Sequence, residues 1–111
     1  IGDDTTSNNM IEYYIAMSTY HSERHEIMDK LNFLIKAKEL TIKNKQEDKF
    51  LFTINTKLSV VFEAIKAYDQ ALEIDYENRI KAQQEKDPVG ELFTLFGICY
   101  SHLELKQYPI P

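Results

Sequence analysis

Residues that force a turn are scarce: three glycines and three prolines in 111 residues leave few places to break a regular element, so long helices are expected. The single cysteine, Cys99, excludes an internal disulfide and suits the cytoplasm or another reducing compartment. No apolar run approaches the roughly 20 residues needed to cross a bilayer as a helix. A basic start followed by an apolar core and a cleavage site is missing, so no signal peptide is expected in the chain as given. Basic charge is also short, with 13 Lys and Arg against 18 Asp and Glu, a net charge of −5 and a pI near 5.1. Such a balance argues against nonspecific nucleic-acid binding, which rests on cations neutralising phosphates, and against an anionic membrane surface. There is no phosphate-cradling glycine pattern, no GxSxG and no EF-hand loop, and no cofactor is expected.

What remains is an ordinary globular composition, 43% hydrophobic and 28% charged, at a length that supports one domain. The longest helical stripe comprises Phe50, Ile54, Leu58, Val61, Ile65, Tyr68, Leu72 and Tyr76, each step three or four residues. Good helix formers follow it, and the first firm stop is Asp87 before Pro88. One long helix over 47–86 is therefore expected. At 1.5 Å per residue it would reach roughly 60 Å, against about 35 Å for a compact domain of this size, so either the domain is elongated or the helix breaks. Upstream, a polar, aperiodic segment 1–9 reads as a disordered arm. Met10, Tyr13, Tyr14, Met17 and Tyr20, then Ile27, Met28, Leu31, Leu34 and Ile35, read as one helix over 10–43 or as two meeting near Ser22. A third helix, 88–107, begins at Pro88 with Asp87 as its cap. The residues 108–111 read as an extended tail. The expected architecture is all-α: an antiparallel hairpin of two long helices plus a third, a three-helix bundle, or four if the first helix breaks near Ser22. All of it lies in one helical domain, 10–107.

At 64–75, AIKAYDQALEID, the chain resembles the second helix of a tetratricopeptide repeat, through small Ala64 and Ala71, through Tyr68, and through Leu72, Glu73, Ile74 and Asp75. Phe93, Phe96, Gly97 and Tyr100 resemble the first helix of such a repeat, with Gly97 at the close helix crossing. The spacing is not regular: Ala64 and Gly97 stand 33 residues apart, where a repeat of about 34 would put these landmarks about 22 apart. The resemblance implies a scaffold that binds peptides or proteins.

Candidate chemistry is sparse. His21 and His25, spaced i,i+4 with Asp29 one turn on, could begin a Zn, Ni or Cu site, with Glu26, Cys99 or His102 completing it. The competing reading is a polar interruption between two apolar stretches. Cys99 and His102 at i,i+3 could pair thiol with imidazole, yet Cys99 lies in the most apolar helix, where a thiol usually acts as a small core residue. The cluster Tyr13, Tyr14 and Tyr20 reads as core packing before binding surface. The lysines 36, 38, 43, 45 and 49 read as a solvated face.

The third helix carries the functional expectation. Val89, Leu92, Phe93, Phe96, Tyr100 and Leu103 form one stripe, and Leu95, Ile98, Cys99, His102 and Leu105 cover much of the rest. A helix apolar nearly all round is buried on more than one side, and two preceding helices cannot cover it all. The leading reading is a non-enzymatic helical interaction module, a scaffold, adaptor or chaperone-like protein, that binds a partner helix, a peptide or a second copy. Phe93, Leu95, Phe96, Ile98 and Tyr100 carry it. The alternatives are a metal- or thiol-dependent enzyme or sensor using His21 and His25, and an inhibitor or immunity-type protein.

Overall fold

The computed structural model describes the backbone of residues 2–23 and 26–105, and within these the side chains of 8–19 and 26–105. Five helices follow one another: α1 (Gly2–Glu23), α2 (Ile27–Lys43), α3 (Glu47–Ala64), α4 (Tyr68–Gln84) and α5 (Pro88–Leu105). No strand occurs among the described residues, so the all-α class holds. The count of three or four helices does not. The long helix read over 47–86 is two helices separated at residues 65–67, and the stretch read as 10–43 is divided between Glu23 and Ile27. The segment read as an arm belongs to α1 from Gly2 onward, and the tail 108–111 lies outside the described residues.

Three of the turns between helices share one device, the unexpected one at 65–67 and the expected ones after α2 and α4. Lys45, Lys66 and Lys86 adopt left-handed backbone, with φ of 56°, 63° and 54°. In each turn the lysine N–H donates to the carbonyl three residues back, Ile42, Glu63 or Gln83. The N–H of the next residue, Gln46, Ala67 or Asp87, donates to the carbonyl five back, Thr41, Phe62 or Ala82, at 2.9, 2.7 and 2.8 Å. This is the Schellman closure, which satisfies carbonyls that a helix end leaves open. It is usually built on glycine, because a side chain costs roughly 1–2 kcal/mol in that conformation. Here lysine takes the position, where its ammonium favours the negative end of the helix dipole. The same residue that closes one helix opens the next: the Gln46, Ala67 and Asp87 carbonyls accept from Phe50, Ala71 and Glu91. As a result α2 to α5 begin 20, 21 and 20 residues apart.

The length suggested a single core, but the chain divides into two compact units, Ile1–Lys57 and Leu58–Pro111, with the boundary inside α3. In the first, α1 packs on α2. Leu31, Leu34, Ala37 and Thr41 recur at helical spacing on α2 and are buried, together with Ile11 and with Phe50, Leu51 and Ile54 from the first half of α3. The Tyr14 ring lies 6.0 Å from Phe33 and 5.6 Å from Tyr13. In the second unit α4 packs on α5, and Leu58, Val61, Ala71, Leu72, Ile74, Ala82 and Ile98 are buried. Turning back at 65–67 returns α4 to the end of α3, where Ser59 hydrogen-bonds the Asp75 carboxylate.

Candidate functional site

The second unit is built so that α5 faces inward with its smallest side chains. Its buried positions are Gly90, Thr94, Ile98 and Ser101, and they recur at steps of three or four along one face. Gly97 sits at the edge of this face, against Asp75 of α4. A methyl group placed there would come within 2.6 Å of Asp75 Oδ2, well inside van der Waals contact, so the absence of a side chain is what lets the helices approach. Asp87 fixes the start of α5 by accepting from the Gly90 N–H at 3.0 Å. Glu91 holds the flank, accepting from Gln83 Nε2 at 2.9 Å with Arg79 Nε at 3.6 Å. At the other end Tyr68 donates to Glu104 at 3.3 Å, and Tyr76 Oη lies 3.1 Å from His102 Nε2.

Polar groups are set among the apolar residues of the interior that α5 covers. Ser59, Asp75, Asn78, Thr94 and Ser101 are all buried, and Asp75 Oδ2 and the Ser101 hydroxyl have no hydrogen-bond partner among the described residues. Burial raises the Asp75 carboxyl above its ordinary value, while the hydrogen bond from Ser59 pulls it back in part. Burial and then the Asp75 charge raise Glu63 likewise.

With its small face turned in, α5 turns its large apolar residues out. Val89 is 70% exposed, Phe93 and Phe96 67% each, and Leu92, Tyr100 and Leu103 between 46% and 59%. At 3.6 residues per turn these six fall within a stripe about 100° wide. Their exposed area is on the order of 700 Å², above the roughly 300–600 Å² of the largest apolar patch on a typical monomer. Tyr100 is anchored from one side by the Tyr68 ring, 6.1 Å away and edge-on. Burial, with Tyr100 and Glu104 alongside, pushes the Tyr68 phenol up to about 12.

Of the residues expected to form the binding strip, Phe93, Phe96 and Tyr100 are on this face and Leu95 is half-buried at its border. Ile98 is not: it is 6% exposed and belongs to the interior, because it projects from α5 opposite to Phe96. Val89, Leu92 and Leu103 complete the strip, and the three-and-four spacing already marked them. Cys99, read as a core residue, is exposed. Asp29 is exposed, while His25 and the His21 side chain lie outside the described residues, as does the Tyr20 side chain. Among the described residues no group of three or more His, Cys, Asp and Glu is placed to hold a metal ion, and no helix is long and apolar enough to cross a membrane.

A second concavity, in the first unit, is a groove of about 400 Å³ lined by Met10, Tyr14, Lys36, Glu39, Leu40 and Lys43. Compared with protein-family models, curated proteins and solved structures, the chain has no significant match.

Proposed function

We propose that this chain is a non-enzymatic helical interaction module, scaffold- or adaptor-like, whose α5 stripe receives an apolar helical face. The observation that carries this reading is the orientation of α5: glycine, threonine and serine pack inward while Val89, Leu92, Phe93, Phe96, Tyr100 and Leu103 stand in solvent. A helix folded to satisfy only its own unit would rotate the other way, since burying those six side chains would stabilise it by several kcal/mol at roughly 25 cal/mol per Å². Recognition by a groove or stripe of this kind reads anchors at i, i+3, i+4 and i+7, and Val89, Leu92, Phe93 and Phe96 stand at that spacing. The tetratricopeptide-like residues lend this reading no separate support, since Ala64 ends α3 and Ala71 stands in α4. The resembling segment 64–75 spans the 65–67 turn and the first half of α4, and Gly97 is where α5 comes closest to Asp75.

The test is the double variant Phe93→Lys/Phe96→Lys. Both side chains are exposed, so helical content and unfolding midpoint should stay within about 0.5 kcal/mol of wild type. Proteins captured by the wild type should be lost. Full retention of every captured partner would overturn the reading.

A further inference from the structure

We infer that the occupant of the α5 stripe is a second copy of this chain, docked antiparallel about a two-fold axis beside Phe96; the inference rests on the reading of that stripe as an interaction surface. A two-fold interface must be self-complementary, because each patch meets itself. The stripe meets that demand in its numbering. Counted from Phe96, its members stand at −7 (Val89), −4 (Leu92), 0, +4 (Tyr100) and +7 (Leu103), a set unchanged when the direction of the helix is reversed. An antiparallel partner would therefore set Val89 against Leu103, Leu92 against Tyr100 and Phe96 against Phe96. The remaining large residue, Phe93 at −3, would meet the exposed Cys99 at +3, an apolar ring over a polarisable thiol.

Charges do not oppose this register. Glu91 at −5 lies on the flank turned away from the stripe, with Gln83 and Arg79, and Glu104 at +8 would stand level with Pro88 at −8, so no carboxylate of α5 is set against another. The antiparallel sense also places each helix N-terminus beside the partner's C-terminus, where the two macrodipoles attract. A parallel pair would join like ends. The area suffices as well: two copies would bury on the order of 1,400 Å² between them, within the roughly 1,200–2,000 Å² of stable interfaces.

Sedimentation equilibrium of the full chain reads the association directly. The expected mass is twice 13.0 kDa at about 0.1 mM protein, falling to the single-chain mass for Phe96→Lys, which sets two ammonium groups against each other on the axis. The geometry is read by disulfide trapping in a Cys99→Ser background. Phe96→Cys should cross-link to itself, Val89→Cys should not, and Val89→Cys mixed with Leu103→Cys should. A wild type that stays at the single-chain mass up to about 1 mM, where association is worth no more than about 4 kcal/mol, overturns the proposal. Self-linking of Val89→Cys overturns the antiparallel register. A monomeric wild type whose captured partners are lost in Phe93→Lys/Phe96→Lys would remove the second copy and leave the interaction surface standing. Partners retained by that variant would remove the surface itself.

Discussion

The two compact units are made from comparable lengths of chain but place their exposed apolar side chains differently. In the first, Ile11, Leu34, Ala37 and Ile54 are sealed from solvent and Leu31, Phe50 and Leu51 nearly so, and the exposed large apolar residues Met10, Tyr13, Met28, Ile35 and Ile42 are divided between α1 and α2. In the second, α4 and α5 bury Asp75, Asn78, Thr94 and Ser101 beside Ala71, Leu72, Ile74, Ala82 and Ile98, with Gly97 against Asp75, while six large residues of α5 are gathered on one exposed face. A helix pair joined over small side chains comes close and gains dispersion contact, but removes little apolar area from water. The first unit leaves its exposed apolar residues on two helices, whereas the second concentrates six of them on one.

The largest effects that could break this comparison are core truncations. Leu34→Ala removes a side chain with no exposure and should cost about 3–5 kcal/mol, read by urea denaturation. Ile98→Ala, on a face of α5 it shares with Gly90, Thr94 and Ser101, should fall nearer about 2 kcal/mol. If Ile98→Ala costs more, the second unit depends on apolar packing after all.

Next in size is Gly97→Ala. A helical alanine gains about 1 kcal/mol over glycine, but the added methyl would collide with a carboxylate that is 4% exposed. The net cost should be about 1–2 kcal/mol. In an Asp75→Ala background the same substitution should turn neutral or favourable, and additivity of the two changes would show that Asp75 does not limit the approach of α5.

Asp75 also ties the second unit to pH. A carboxyl whose folded value lies above its ordinary 3.8 holds its proton more readily folded than unfolded, so stability rises as pH falls through the folded value and is lost as pH climbs through it. Glu63, raised from 4.5, adds in the same sense. Asp75→Asn should raise the urea midpoint at pH 7 and flatten its dependence on pH above the ordinary value of 3.8. An unchanged slope in the variant would remove Asp75 as its source.

Smallest is Lys66→Gly, expected to stabilise by about 0.5–1 kcal/mol by relieving the left-handed residue. Lys45→Gly and Lys86→Gly should behave alike, since the three turns share one hydrogen-bond pattern. A loss of stability in only one of them would mark that lysine as having a separate role.

The helical class was legible because period and composition agreed along the chain from Met10 onward, whereas the polar, aperiodic start of α1 gave no such sign. The start of α5 was legible too, since Asp87 and Pro88 are residues that only a helix boundary suits. The turn between α2 and α3 stood between the expected bounds 43 and 47, but the turn at Lys66 offered no such mark: lysine is a good helix former, and its left-handed backbone is decided by the packing of the helices on either side. The exposed apolar stripe of α5 could be read in part. Its spacing was plain, but periodicity does not say which face turns inward, and on α5 the answer came from Gly97 and Asp75. Ile98 was misplaced for that reason, being as hydrophobic as Phe96 and on the other side of the helix.

The helix pairs that define each unit, α1 with α2 and α4 with α5, are neighbours along the chain, joined by at most a few residues. Chains whose packing is local close their loops at little entropic cost and fold in microseconds to milliseconds. The repeated lysine turn should therefore make assembly rapid as well as regular, each hairpin collapsing without waiting for a distant segment. The slow event in the life of this protein would then be the one that needs a second molecule.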